Sequence, residues 1–167
     1  MKMIYYKVAL LSLVANVVIS AERNDCPHGW VDGSFVEMGC IMLNANSSMT
    51  LEEANEYCYS SHNASLVELR MPEQLEFVRM ELEMLEEHEG GKDWWTSGTD
   101  VGREGQWYWA SSLAPVHDFV WSSGNTVSGI TQNCLALLDS STANENYMGY
   151  DRPCTDSGFP LCQIKCQ

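Results

Sequence analysis

The sequence predicts an α+β domain held together by disulfides, and three observations lead to this class. Two segments with helical patterns lie in the first half of the chain. Short apolar strings, separated by Gly, Ser, Thr and Asn, fill the second half, which is typical of strands and loops. Seven cysteines follow an apolar leader. Helices followed by a run of strands indicate an α+β fold, and cysteines behind a leader indicate disulfides formed in an oxidising compartment.

Residues 1–20 have the pattern of a secretory signal peptide. A start with two lysines precedes an apolar run over Val8–Ile19, and small residues follow the run. The run has 12 residues, whereas a membrane-spanning helix needs about 20. We therefore expect a secreted, extracellular protein without membrane insertion. Residues 21–167 are expected to form one domain, because single domains most often have about 100–150 residues.

The chain is strongly acidic, with nine Lys and Arg against 23 Asp and Glu and a formal charge of −14. The leader contains two of the basic residues and none of the acidic ones, so the mature chain has a formal charge of −16. Its seven basic residues are scattered, whereas binding to nucleic acid or to an anionic membrane surface needs clustered Lys and Arg. Neutral sugars, cations and basic proteins remain as ligand classes.

The first helix is predicted to begin at Thr50. Thr50 and Glu53 have the spacing of a capping box, in which each residue bonds the backbone N–H of the other. Leu51, Ala54 and Cys58 follow at spacings of three and four and share one helix face. We expect that face to be buried and to carry Cys58 into a disulfide.

The second helix is predicted to begin at Pro72, because proline suits a first helical position. Gly90 and Gly91 are expected to end it. Seven glutamates lie between Glu73 and Glu89. We interpret them as a solvated face, with a docking patch for a basic partner as the alternative. The predicted buried stripe consists of Leu75, Val78, Leu82 and Leu85.

Five segments are predicted to be strands or to contain them, on the basis of their strand-forming residues. They are Phe35–Leu43, Trp94-Trp95, Trp107–Trp109, Cys134–Leu138 and Phe159–Ile164. A loop-rich stretch is predicted over Ala110–Asn133, where small and polar residues dominate.

Several strings stand in a fixed order along the mature chain. They are Cys26-Pro27-x-Gly29-Trp30, a cysteine 14 positions later, Trp95-Thr96-Ser97-Gly98-Thr99-Asp100 leading to Gly105-Gln106-Trp107-x-Trp109, and Asp151-x2-Cys154-x7-Cys162. With these strings the chain resembles the C-type lectin-like domain over residues 26–162. The string that begins at Trp95 resembles the corresponding string of secreted, single-domain arthropod members of the family in particular. The resemblance implies two helices flanking short antiparallel sheets, with a long loop region.

The cysteine pairing follows from the resemblance, because spacing alone does not fix connectivity. The resemblance implies the disulfides Cys26–Cys40, Cys58–Cys162 and Cys134–Cys154. Cys166 is left over, and an odd cysteine in a secreted chain indicates either an intermolecular bridge or a capped thiol. A disulfide-linked homodimer through Cys166 is therefore one of two alternatives.

Two further features suit the extracellular compartment. Asn46 and Asn63 each begin an N-glycosylation sequon, which makes the chain a candidate glycoprotein. The sequence contains no Cys-x-x-Cys pair, so a structural zinc site is disfavoured.

In sugar-binding members of the family, one calcium ion in the long loop is shared between protein oxygens and two sugar hydroxyls. The resemblance aligns that primary site with Asn125, Thr126, Val127, Gln132, Tyr150 and Asp151. Counting back from Cys134 shifts the first triplet to residues 124–126. In either register Asp151 is the one carboxylate. Because carboxylates supply most of the affinity for calcium, we expect the ion to be weak or absent there, and we expect no organic cofactor.

An auxiliary calcium position matches the family pattern better than the primary site does. Asp100, Glu104 and Asn133 align with residues that hold accessory ions in the family. Glu104 and Gly105 also belong to a turn of the fold, so a structural role is the alternative. A calcium ion that stiffens the loop without touching ligand is a third interpretation.

The aromatic residues divide into two groups. Trp94, Trp107 and Trp109 are predicted to be core residues, with hydrogen-bonded indoles. Phe119, Tyr147 and Tyr150 are predicted to lie near the loop, where a ring can stack on the apolar face of a sugar. Tyr150 also replaces an asparagine ligand that the resemblance leads one to expect.

Catalysis is not expected, because the four histidines belong to no catalytic or metal-binding motif. Three binding functions remain. The first is a secreted lectin for glycans, including microbial glycans in innate immune recognition. The second is a calcium-independent module that binds a protein ligand, and the third is an acidic surface for cations or minerals. We predict a C-type lectin-like recognition protein that binds carbohydrate, with the protein-binding module as the alternative.

Overall fold

The computed structural model describes residues 26–86, 91–123, 130–140 and 146–165. Within these ranges the chain forms two helices, α1 (Leu51–His62) and α2 (Pro72–Glu86). Its strands are β1 (Val31–Asp32), β2 (Cys40–Leu43), β3 (Ser65–Leu66), β4 (Trp94–Thr99), β5 (Tyr108–Trp109), β6 (Cys134–Leu138), β7 (Met148–Arg152) and β8 (Phe159–Ile164). The predicted α+β class is confirmed.

Helix α1 begins as the sequence predicts. The backbone N–H of Thr50 donates to Glu53 Oε2 at 2.8 Å, and the N–H of Glu53 donates to Thr50 Oγ1 at 3.4 Å, so the capping box is complete. Ala54 and Cys58 are fully buried. Asn63 caps the end of the helix, because its left-handed backbone (φ 53°) lets its N–H donate to the carbonyls of Cys58 and Tyr59.

Helix α2 begins at Pro72 and is described as far as Glu86; residues 87–90, and with them the predicted end at Gly90, lie outside the described residues. Leu75, Val78 and Leu82 are buried as predicted. Leu85 was predicted to join this stripe, but it is 39% exposed. It lies about one turn beyond Leu82, the last buried residue of the stripe.

The eight strands form one twisted sheet with the order β1-β2-β8-β4-β6-β7, while β3 pairs with β8 and β5 pairs with β4. All pairings are antiparallel except that of β4 with β8. This parallel pair lies in the middle of the sheet. It connects the antiparallel strands β1, β2 and β8 on one side with the antiparallel strands β4, β6 and β7 on the other. The sheet is therefore mixed.

Strands β6 and β8 have the predicted bounds. The predicted strand over Phe35–Leu43 is only partly correct, because β2 covers Cys40–Leu43 and Ser34–Val36 is a 3-10 turn. The N–H groups of Val36 and Met38 both donate to the carbonyl of Gly33. This turn reverses the chain between β1 and β2 and leaves Phe35 exposed.

The tryptophans of β4 belong to the two cores of the domain. Trp94 packs with Trp107 and Trp109 in the larger core, and Trp95 packs with buried cysteines in the smaller one. Neighbouring strand residues point to opposite faces, which explains the division. The prediction of indole hydrogen bonds was wrong for Trp107 and Trp109, whose Nε1 atoms are buried without an acceptor among the described residues. Trp95 Nε1 donates to the carbonyl of Met49 at 2.9 Å.

All three implied disulfides are present: Cys26–Cys40, Cys58–Cys162 and Cys134–Cys154. Cys58–Cys162 joins α1 to β8 over 104 positions of sequence. Cys134–Cys154 joins the start of β6 to the residues that follow β7. Neither helix has the length and apolar composition to traverse a bilayer in the ranges that the structure describes.

Candidate functional site

The predicted site residues that the structure describes lie at or near the same end of three neighbouring strands. Asp100 follows β4, Asn133 precedes β6, Tyr150 is the central residue of β7 opposite Ala136, and Asp151 follows it toward the end of β7. The strands run antiparallel, with Thr99 opposite Cys134 in one pair and Leu135 opposite Asp151 in the other. The end of β4, the start of β6 and the end of β7 therefore meet.

Asp100 and Asn133 are joined through the backbone. The N–H of Asp100 donates to the carbonyl of Asn133 at 3.4 Å, and the hydroxyl of Thr99 donates to the same carbonyl at 2.6 Å. Asp100 Oδ2 accepts from the N–H of Gly105 at 2.8 Å. In contrast, Asp100 Oδ1 and Asn133 Oδ1 are buried and accept no hydrogen bond from the described residues. Two oxygen acceptors are thus left unsatisfied at this corner.

Glu104 lies in the turn that Asp100 closes. The N–H of Arg103 donates to the carbonyl of Asp100 at 2.7 Å, and Gly105 has the positive φ (74°) that favours glycine. Glu104 itself is exposed. Asp100 therefore has a structural role in this turn, whether or not its second oxygen also meets a ligand.

Asp151 is buried within β7. It is 7% exposed, and its Oδ2 atom has no hydrogen-bond donor among the described residues. The neighbouring Arg152 is engaged elsewhere, in ion pairs with Asp93 and Asp156. Burial raises the pKa of Asp93, and the attraction of Arg152 only partly offsets this effect. Arg152 therefore provides no counter-ion for Asp151.

Tyr150 is half-buried, and its hydroxyl oxygen accepts a hydrogen bond from Ser122 Oγ at 2.7 Å. The two residues meet because the N–H of Ser122 also donates to the carbonyl of Gly149 at 3.0 Å. Gln132 is half-buried. The predicted triplet Asn125 to Val127 lies outside the described residues.

The other two aromatic residues predicted near the loop, Tyr147 and Phe119, are less accessible to a sugar than Tyr150. Tyr147 was predicted to lie near the loop with a ring that can stack on a sugar, but it is 1% exposed, so its ring is too buried to make that contact. Its left-handed backbone (φ 54°) immediately precedes β7, and its ring packs in the larger core. Phe119 is half-buried against that core and stacks on the ring of His117 at a centroid distance of 6.0 Å.

The described residues offer more oxygen ligands at the auxiliary calcium position than at the primary one, and a complete set of about six to eight at neither. At the auxiliary position, Asp100 and Asn133 offer unsatisfied buried oxygens, with the exposed carboxylate of Glu104 in the same turn. At the primary position, the described residues supply the carboxylate of Asp151 and the amide of Gln132. These are too few for an ion that takes about six to eight oxygens. No group of three or more His, Cys, Asp or Glu side chains within the described ranges is placed to hold a metal.

The sequence did not indicate three residues that the structure brings to this site. Ser122 carries no motif, and only the fold places it beside Tyr150. Val101 and Ile130 flank the Asp100–Asn133 corner and are 53% and 82% exposed. Exposed aliphatic residues in a loop of a polar sequence give no pattern that predicts this placement.

Other predicted positions lie away from this end of the sheet or outside the described residues. Asn46 and Asn63 are both exposed, as an attached glycan requires. Cys166 lies outside the described residues.

Comparison with known proteins identifies the architecture. The crystal structure of human lithostathine at 1.3 Å is 20% identical, covers 91% of this chain and 99% of its own, and has a TM-score of 0.73. The C-type lectin domain of murine dendritic cell inhibitory receptor 2, in complex with an N-glycan, is 23% identical, covers 84% of this chain and 99% of its own, and has a TM-score of 0.67. A calcium-independent type II antifreeze protein is 19% identical, covers 84% and 94%, and has a TM-score of 0.64.

Because all three sequence identities are below 25%, these similarities establish the fold alone. The names of the three proteins also differ in the function that they indicate. A search of curated protein sequences finds no significant match. The model of the lectin C-type domain matches residues 47–164, which is well over half of the chain. The chain therefore belongs to the C-type lectin domain family, whose members are generally binding modules without enzymatic activity.

Proposed function

We propose that this chain is a secreted glycan-recognition protein that contacts sugar through the ring of Tyr150 and not through a calcium ion at the primary site. The observation that carries the proposal is the hydrogen bond from Ser122 to the Tyr150 hydroxyl. It fixes an aromatic side chain at a position where the family resemblance leads one to expect an asparagine ligand. The neighbouring carboxylate of Asp151 is buried and has no carboxylate partner among the described residues of the site.

A fixed ring suits sugar binding without a metal. One face of a pyranose is apolar, and an aromatic ring offers a large apolar surface beside a polar group. The hydrogen bond restricts the ring before ligand arrives, so less conformational entropy is lost on binding. The fold of the N-glycan complex of murine dendritic cell inhibitory receptor 2 supports a glycan as the ligand class. Microbial glycans, and with them a role in innate immunity, are the targets we propose.

Calcium has a different place in this proposal. The unsatisfied oxygens of Asp100 and Asn133, with the carboxylate of Glu104, would hold an auxiliary ion at the start of the long loop. When bound, the ion supplies a positive charge that ties the turn after β4 to the start of β6. The similarity to a calcium-independent antifreeze protein supports a fold that stands without an ion.

The test is a pair of alanine substitutions at two tyrosines. Tyr150→Ala removes the proposed contact, and Tyr59→Ala removes an exposed ring on α1, remote in sequence from the site. Affinity for the strongest glycan ligand is measured by calorimetry for both variants. We expect Tyr150→Ala to weaken binding at least about tenfold, which is about 1.4 kcal/mol, while Tyr59→Ala binds like the wild type. Equal affinities for Tyr150→Ala and the wild type would refute the stacking role.

A second function, recognition of a protein ligand, is favoured by one observation. Val101 and Ile130 expose aliphatic side chains beside the Asp100–Asn133 corner. Apolar side chains ringed by polar groups are typical of protein interfaces. If Ile130→Ser abolishes binding to a purified protein ligand while Met84→Ser, on the exposed face of α2, retains it, this second function is supported.

The processing of the chain completes the proposal. Residues 1–20 are removed as a signal peptide, and residues 21–167 form the secreted domain. Amino-terminal sequencing of the protein recovered from culture medium tests this; an intact Met1 would contradict it. Cys166 either bridges two copies or is capped. A species of twice the monomer mass in non-reducing electrophoresis, lost on reduction, identifies the bridged form.

A further inference from the structure

A cavity of about 540 Å³ lies outside the site described above. It is lined by four parts of the chain: the turn after β1, the connection from β3 to α2, His117, and the end of β8. Its lining shares no residue with the Asp100–Asn133 corner or with Tyr150 and Asp151. The volume falls in the range of cavities that hold small molecules, about 300–1,000 Å³.

The floor of this cavity contains a buried ion pair. The side chain of Glu68 is 3% exposed and is paired with the ammonium of Lys165. The hydroxyls of Ser111 and Ser112 also donate to Glu68 Oε2. Burial pushes the pKa of Glu68 up, but the hydrogen bonds and charge of Lys165, with the serine hydroxyls, outweigh it and hold the pKa below its usual value. Glu68 is therefore an ionised and fully paired group.

Two buried amides complete the floor. Gln74 Oε1 accepts from the N–H groups of Arg70 and Met71, and its Nε2 donates to the carbonyl of Val36 at 3.0 Å. Gln163 Oε1 accepts from the N–H of Glu68, and its Nε2 donates to the carbonyl of Met38. Because every polar group of the floor has partners, the floor is held in one arrangement.

The rim, in contrast, carries three polar side chains that have no hydrogen bond or ion pair with any described residue. They are the guanidinium of Arg70, the imidazole of His117 and the carboxylate of Glu37. Arg70 takes part in the local structure only through its backbone N–H. The floor is thus satisfied internally, while donors and an acceptor at the rim remain available to a ligand.

We propose that this cavity binds a small ligand that carries a carboxylate beside an amino or hydroxyl group. The guanidinium of Arg70 matches a carboxylate with two parallel hydrogen bonds, His117 adds a further donor, and Glu37 accepts from the amino or hydroxyl group. A doubly charged phosphate fits less well, because the two cations of the lining, Arg70 and Lys165, are balanced by Glu37 and Glu68 and leave no net positive charge for a dianion. Amino acids and acidic sugars share the required chemistry.

The test uses alanine and glucuronic acid as probes of the two sources, and glucose as a probe without a carboxylate. Each is titrated into the ¹⁵N-labelled mature protein, and amide shifts are followed by NMR. We expect saturating shifts in residues 68–71 and around His117 and Gln163, with dissociation constants of about 1 mM, for one or both carboxylates and not for glucose. Absence of shifts there up to about 20 mM for both carboxylates, or equal shifts with glucose, would overturn the proposal.

Matched variants separate the proposed contact from general charge. Arg70→Gln is expected to weaken carboxylate binding about tenfold, since it removes the charged fork. Arg103→Gln, an exposed arginine over the ring of Tyr108, is the control and is expected to bind like the wild type. Wild-type affinity in Arg70→Gln, or equal losses in both variants, would overturn the proposal. The titration is repeated in Tyr150→Ala, and carboxylate binding is expected to persist because Tyr150 does not line the cavity. The result therefore tests the cavity separately from the proposed glycan site.

Discussion

Ser122 Oγ donates a 2.7 Å hydrogen bond to the hydroxyl oxygen of Tyr150, and this bond ties the long loop to β7. Ser122 follows Trp121, which bridges to Gly149 in parallel fashion. The backbone and side-chain contacts together restrain Tyr150, the central residue of β7, immediately before Asp151. A rigid aromatic group at this position is the basis of the proposed recognition site.

The first prediction concerns the Tyr150 hydroxyl. Tyr150→Phe keeps the ring and loses the bond from Ser122, so the ring is less restricted before binding. We expect glycan affinity to fall about two- to tenfold, in line with about 0.5–1.5 kcal/mol for one hydrogen bond. Calorimetric titration measures this change. A loss as large as that in Tyr150→Ala would mean that the hydroxyl, and not the ring face, makes the decisive contact.

The second prediction concerns the disulfides. Cys58–Cys162 closes a loop of 104 positions, whereas Cys26–Cys40 closes one of 14. In the chain-entropy account these loops contribute about 4.7 and about 3 kcal/mol to stability. Replacing both cysteines of a pair by alanine should therefore cost more for the longer loop, by about 1–2 kcal/mol. Equilibrium urea unfolding compares the two variants, and equal losses would contradict the loop-length argument.

The third prediction concerns Glu68 and pH. The pKa of Glu68 is lowered from its ordinary 4.5 in the folded protein, so its ionised form stabilises the fold above that value. The contribution is lost as pH falls through the folded pKa. Glu68→Gln should lower the unfolding free energy by about 1–3 kcal/mol at pH 7, and the difference from the wild type should shrink toward pH 3. Urea unfolding at the two pH values measures it; a constant difference would show that the charge is irrelevant.

The fourth prediction concerns Gly149. A Cβ atom there would lie 2.9 Å from the carbonyl oxygen of Val120, which belongs to the backbone and cannot rotate away. Gly149→Ala should push β7 from the segment that carries Ser122, at a cost of about 1–3 kcal/mol. Thr155→Ala, at an exposed position beyond β7, is the control. Thermal unfolding compares the two, and a stable Gly149→Ala variant would indicate that this contact is loose.

Local patterns in the sequence predicted the helices and most strands. The Thr50–Glu53 capping box, Pro72 and the apolar strings of β6 and β8 act through neighbouring residues, so they can be recognised without the fold. Strand β7 was missed because a glycine and an aspartate stand on either side of its central tyrosine. Both residues disfavour strands on their own, and tertiary contacts with Val120 and Leu135 override that preference.

The site was predictable only as far as the family resemblance reached. It indicated Asp100, Asn133 and Asp151, but the sequence did not reveal that one oxygen of each of these side chains is buried without a hydrogen-bond donor among the described residues. The cavity beside Glu68 was not foreseen at all, because its lining comes from segments around residues 34, 70, 117 and 165. Only long-range pairing, such as that between β3 and β8, brings these segments together.

The measurement that tests the central claim most directly is a glycan array with the purified mature protein, run once with millimolar calcium and once with a chelator. Recognition through Tyr150 predicts glycan binding that persists in the chelator, with a loss of at most a few-fold from the auxiliary position. Binding that vanishes in the chelator would contradict this account, because it would mean that Asp151, Gln132 and their neighbours hold an ion on which the sugar depends.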